Sequence, residues 1–135
     1  MNVQIFGQRE LEKRIDAGKQ VYSHCISIGN PGRGQHRPEA HKMPKVFIDT
    51  FESILRLEFY DVEEKRHLGK MRPKRIPEKR DVKKIIRYFN STKDRATGHT
   101  IHCWRGVSRS AAVGLIILYL IHQEEHKAAQ ELIRI

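Results

Sequence analysis

Thr100-Ile101-His102-Cys103-Trp104-Arg105-Gly106-Val107-Ser108-Arg109-Ser110-Ala111-Ala112 is the stretch on which the reading of this chain turns. Its first four residues have the composition of a short buried strand. From Arg109 to about Glu124 the sequence is apolar and helix-forming. In an open α/β sheet, ligands bind where strands end and helices begin. The first turn of such a helix offers unpaired N–H groups and the positive end of the helix dipole to an anion.

Cys103 stands at that junction. A free thiol ionises near pH 8.5, but at a helix N-terminus beside a cation its pKa falls to about 3.5–7.5. The thiolate so formed is a strong nucleophile. Arg109 is spaced to turn its planar guanidinium back over the loop, where its fork matches two oxygens of a tetrahedral oxyanion. The backbone N–H groups of Trp104, Arg105, Gly106, Val107, Ser108 and Arg109 are placed to converge as an anion nest. Gly106 supplies the backbone freedom such a cradle needs. Ser110 is set to donate its hydroxyl to the sulfur, and His102 to brace the loop by side-chain hydrogen bonds. With this positive field, no metal or other cofactor is expected.

Outward from this stretch the elements alternate. Gln8 to Lys19 is rich in helix formers, with Leu11 and Ile15 four apart and Gly18 as the stop. Val21 to Ile28 has strand composition and ends in the breaker cluster Gly29-Asn30-Pro31-Gly32; Gly29 to Pro44 then reads as a loop. Ile54 to Phe59 reads as a half-buried strand, with Arg56 and Glu58 on its polar side. It delivers Tyr60 and Asp61 at its C-terminal end. Val62 to Ile76 is a basic loop. Pro77 fits the first position of a helix running to about Asn90, with Val82, Ile85, Ile86 and Phe89 on one face. Two closing helices are expected, one to about Glu124 and one to Ile135. The whole predicts a single α/β domain over residues 1–135, a central, mostly parallel sheet flanked by helices.

Composition narrows the function classes. Two cysteines in 135 residues argue against a disulfide-stapled secreted fold. The longest apolar run, Ala111 to Ile121, is too short to span a bilayer, and Met1 to Gly7 does not read as a secretory leader. A cytoplasmic location is expected. The net charge is +10, and residues 65–87 carry +9 of it, with eleven basic side chains against two acidic ones. Such a run is commonly a solvated face; following Asp61 directly, it is also placed to steer acidic or polyphosphorylated substrates, an attraction that salt weakens. Nucleic acid remains an open partner, although no recognition motif for it is present.

His-Cys-x5-Arg-Ser at 102–110 resembles the signature of the cysteine-dependent protein tyrosine phosphatase superfamily. The compact chain is similar to its small dual-specificity-type members. Together with Cys25-Ile-Ser-Ile-Gly-Asn-Pro31 and Leu55-Arg-Leu-Glu-Phe-Tyr-Asp61, it resembles a group of small microbial predicted tyrosine phosphatases. The resemblance implies a phosphatase-like fold, a phosphorylated substrate (phosphoprotein by default) and hydrolysis through a cysteinyl-phosphate. Cys103 would be the nucleophile, Arg109 and the loop amides the oxyanion clamp, and an upstream Asp the general acid. Asp61 is the candidate, with Asp49, Asp81, Asp94, Glu63 and Glu64 as competitors; Asp81 and Asp94 read as surface charges.

Other readings stand beside this one. An RNA 5′-phosphatase or lipid phosphatase of the same fold would suit the basic run. A phosphate-binding module would keep Arg109 and the nest without turnover. Cys25 reads as a small buried hydrophobe or, alternatively, as a resolving thiol for oxidised Cys103. His122 and His126 lie four apart on a helix but lack the Glu and third ligand of a zinc protease. Trp104 either walls the pocket or packs beside it. Leu115, Ile116, Leu118, Tyr119 and Ile121 read as a buried helix face.

Overall fold

The computed structural model describes residues 1–31, 42–60 and 77–134. Strands β1 (Asn2–Gly7), β2 (His24–Gly29), β3 (Ser53–Glu58) and β4 (Gly98–Cys103) form one sheet in the order β1-β4-β2-β3, with every pairing parallel. Between and after them run α1 (Gln8–Asp16), α2 (Lys45–Thr50), α3 (Lys79–Thr92) and α4 (Arg109–Arg134). The expected α/β architecture is present. Among the described residues the sheet is wholly parallel.

Strand order and the right-handed crossover rule explain where the helices lie. From β1 to β2 and on to β3 the chain moves one way across the sheet; from β3 to β4 it turns back. Right-handed connections therefore put α1 and α2 on one face and α3 on the other, where α4, which follows the last strand, packs beside it. The two cores follow. Leu11, Cys25, Phe47 and Phe51 pack on the first face. Ile26, Ile28, Leu57, Ile85, Phe89, Ile101, Val113 and Ile117 pack on the second. Successive residues of β2 and β4 alternate between these cores, as the period of two requires. Because all four strands are parallel, Gly7, Gly29, Glu58 and Cys103 end at the same edge of the sheet. The helix after β4 goes to the face opposite those after its neighbours β1 and β2, so the end of β4 is a topological switch point.

Several boundaries differ from the sequence reading. β1 was not anticipated: six residues run straight into α1, with only Gly7 to mark the change. α2 is a six-residue helix in a stretch with no assignment. α3 starts two residues after Pro77, because Glu78 takes the cap position and the Asp81 carboxylate accepts the Glu78 N–H at 2.8 Å. Asp81 is therefore a buried capping residue (2% exposed), not a surface charge. The two expected closing helices are one continuous α4. Its apolar surface is not buried all round. Val113, Ile117 and Ile121 face the core, while Leu115 (68%), Leu118 (47%) and Tyr119 (63%) are exposed. Nor do Val82 and Ile86 join Ile85 and Phe89 in the core; both are exposed.

At the opposite edge of the sheet, His24 and His99 are register partners on β2 and β4, and both are buried. The Ser53 hydroxyl lies 2.6 Å from His24 Nδ1 and 2.7 Å from the Tyr88 hydroxyl, and Thr92 Oγ1 lies 2.8 Å from His99 Nε2. Burial, aided by His24, lowers the pKa of His99 to about 4. Burial, with Arg56 and Arg109 nearby, lowers that of His102 to about 3. Both histidines are neutral in the fold and ionise near pH 6.5 when unfolded. The unfolded chain thus binds more protons below that pH, and stability falls from about pH 6.5 down to about pH 4 for His99 and pH 3 for His102. At about 1.4 kcal/mol per pKa unit, His99 alone removes about 3 kcal/mol across its window. Urea denaturation at several pH values measures this slope. His99→Gln should flatten it, and a slope unchanged by that substitution would contradict the assignment.

Candidate active site

The loop 104–108 leaves β4 at Cys103 and enters α4 at Arg109. The side chains of Arg105, Val107 and Ser108 are exposed, whereas Cys103, Arg109 and Ser110 are buried. Gly106 makes the turn at φ +75°. Its backbone rests on the β1–α1 junction: a Cβ at Gly106 would stand 2.3 Å from the Gly7 nitrogen and 2.5 Å from the Phe6 carbonyl carbon. A Cβ at Gly7 would in turn stand 2.9 Å from the Arg105 oxygen. The Gln8 N–H donates to the Trp104 carbonyl at 3.1 Å, so α1 holds the outside of the loop. Gly106→Ala therefore combines a left-handed backbone with a backbone clash. It should cost about 2–4 kcal/mol, measured by chemical denaturation. Gly18, at φ +71° with open space around it, is the control; Gly18→Ala should cost about 1–2 kcal/mol. Equal costs at the two sites would show that the loop does not bear on Gly7.

The Cys103 sulfur is surrounded by donors. The Gly106 N–H donates to Sγ at 3.2 Å, and the Ser110 hydroxyl lies 3.2 Å from it. Burial acts to raise the thiol's pKa. The Ser110 hydroxyl, the Ser110 and Gly106 amides and the Arg109 charge together outweigh it, and the pKa lies below the ordinary thiol value. When the sulfur is a thiolate, the Ser110 hydroxyl is the donor of that pair. The structure thus brings Cys103, Gly106, Arg109 and Ser110 together around one sulfur.

Arg109 is fixed from behind. Its Nη1 donates to Asn30 Oδ1 at 2.8 Å and to the Phe59 carbonyl at 2.9 Å, both at C-terminal strand ends. Its Nε is buried and has no partner among the described residues. A buried donor left unpaired costs about 1–3 kcal/mol. An oxyanion beside the guanidinium would remove that cost. Asn30 was not singled out by the sequence reading. Its signal was its place just past a strand end, before Pro31, where ligand-facing residues of α/β sheets concentrate.

Trp104 is half-buried, with the Arg9 guanidinium 5.3 Å over its ring, so it packs against α1 beside the loop. A cavity of about 160 Å³ adjoins Arg109 and Ser108; its walls include Phe59, Tyr60, Val82 and Ile116, with Glu78 and Asp81 at one side. Comparisons with protein-family models, with curated proteins and with solved structures find no match to this chain.

The remaining expected residues divide plainly. Asp61, Glu63 and Glu64 lie outside the described residues, as does the part of the basic run before Pro77. The rest of that run, Lys79, Arg80, Lys83, Lys84 and Arg87, lines the solvent side of α3. Asp49 and Asp94 are exposed on α2 and after α3. His122 and His126 are exposed on α4, and no cluster of three or more metal-ligating side chains occurs among the described residues. No described helix is long and apolar enough to cross a membrane. Cys25 is fully buried, and burial pushes its thiol pKa up. It pairs in register with Thr100, three residues before Cys103, and belongs to the opposite core. Three residues of strand are about 10 Å, beyond the reach of a disulfide. The resolving-thiol reading is therefore incompatible with this fold.

Proposed function

We propose that the protein is a phosphomonoester hydrolase of the cysteine-dependent tyrosine phosphatase type. The Cys103 thiolate attacks phosphorus in line; the S–P bond forms as the ester P–O bond breaks. The loop amides, the α4 N-terminus and Arg109 hold the equatorial oxygens while charge redistributes over them. The departing oxygen takes a proton from a general acid, for which the resemblance names Asp61. Water then cleaves the cysteinyl-phosphate, giving inorganic phosphate and the free thiolate. Ser110 stabilises the sulfur as nucleophile in the first step and as leaving group in the second.

One observation carries this reading: a buried cysteine whose pKa is nonetheless depressed, beside a buried guanidinium whose Nε has no partner among the described residues. The cavity next to Arg109 favours an aryl ester, phosphotyrosine first. Its volume of about 160 Å³ is close to that of an apolar cavity known to hold one benzene ring. Glu78 and Asp81 on its wall do not suit a second phosphate, which argues against a polyphosphorylated substrate on that side. The test is hydrolysis of p-nitrophenyl phosphate in the presence of a chelator. Turnover that vanadate inhibits supports the proposal. Absence of turnover with retained phosphate binding would leave a binding module instead.

A further inference from the structure

Arg56, Ser27 and His102 stand in one row across the sheet: Ser27 is the register partner of Arg56 on β3 and of His102 on β4. Their side chains are joined. Arg56 Nη1 donates to Ser27 Oγ at 2.7 Å, and Ser27 Oγ lies 2.6 Å from His102 Nε2. Ser27 and His102 are both 0% exposed, and the Phe47 ring packs edge-on against the imidazole at 4.8 Å.

We propose that Arg56 and Ser27 are positioning residues that fix the tautomer of His102 and through it the base of the anion-binding loop. A guanidinium only donates, so Ser27 Oγ accepts from Arg56. Ser27 then has one proton to give, and His102 Nε2, 2.6 Å away, is the acceptor that the proposal assigns to it. A neutral imidazole that accepts at Nε2 carries its proton on Nδ1. His102 is neutral: burial, Arg56 and Arg109 hold its pKa at about 3. His102 Nδ1 is buried without a hydrogen-bond partner among the described residues, while the Cys103 backbone favours a proton on the ring, opposing these effects. His102 directly precedes Cys103, so the ring anchors the strand where it gives way to the loop. Glu58 supports the charge on Arg56, while burial, chiefly, and Arg109 oppose it. These groups, with Cys25 from β2, are the charged and titratable neighbours of the row.

The inference rests on the reading of Cys103 as the nucleophile, but its test does not use turnover alone. In 15N NMR spectra of the wild-type protein, His102 should be the Nδ1–H tautomer at neutral pH. Arg56→Met should convert it to a mixture of tautomers or to Nε2–H. The pH midpoint of Cys103 alkylation should rise by about one unit, and kcat/KM on an aryl phosphate should fall about 10–100-fold, the range usual for residues that orient a functional side chain. Arg56→Lys, which restores a donor, should recover most of both. An Nε2–H tautomer in the wild-type protein would overturn the proposal. So would an Arg56→Met protein with a wild-type tautomer and an alkylation midpoint that does not move; should that protein not fold, Ser27→Ala, which removes the hydroxyl beside His102 Nε2, is read in the same way. Tautomer and alkylation are read in a protein with or without activity, so failure here is distinguishable from failure of the hydrolase reading.

Discussion

Cys103→Ser should lower the turnover of an aryl phosphate by about 10⁴–10⁶-fold while leaving inorganic phosphate bound. Loss of a covalent nucleophile has cost about 10⁶-fold in a hydrolase where it was measured. The substitution nearly preserves volume at a buried site. It also leaves in place Gly106, Ser110 and Arg109, the groups around the side chain at this position. An alcohol at this position ionises far above neutral pH, so the surroundings that lower the Cys103 pKa do not produce an alkoxide. The paired measurement is steady-state kinetics with phosphate binding by calorimetry. Equal turnover in the two proteins would remove Cys103 from the chemistry.

Arg109→Lys should lower kcat/KM by about 10³-fold or more, the scale on which a transition-state arginine acts in phosphoryl transfer. Lysine keeps the charge, but as a point charge without the fork that addresses two oxygens together. It also loses the geometry that lets Arg109 bond Asn30 and Phe59 through Nη1 while Nε stays available to an anion. Asn30 Oδ1 and the Phe59 carbonyl would lose an arginine donor, so stability should fall by about 1–3 kcal/mol. Kinetics compared at a temperature where both proteins are folded separate these effects. A variant with near-wild-type kcat/KM would show that bidentate clamping is not used.

The loop after β4 was legible because its contacts are local: Ser110 lies seven positions after Cys103 and the Gly106 amide three. The partners that hold the loop were not legible, because they meet only through strand register. Asn30 reaches Arg109 across 79 positions, and Ser27 reaches His102 across 75. In sequence, Arg56 is simply the polar residue of an alternating strand. Only its place beside Ser27 on the neighbouring strand turns it inward. Asp81 was misread for a similar reason, since a capping carboxylate and a surface carboxylate look alike until the helix start is known. The apolar run of α4 overstated burial, because one stripe suffices to cover the sheet. β1 and α2 escaped notice because six residues hold too little periodicity to separate strand, helix and loop.

The central claim is a sulfur held ionised at the floor of an anion cradle. The most direct test is the rate of iodoacetate alkylation against pH, with the modified peptide identified and with phosphate as competitor. The account predicts modification of Cys103 and not of buried Cys25, a midpoint below the ordinary thiol value, and protection by phosphate. A midpoint at or above that value, with phosphate giving no protection, would contradict it.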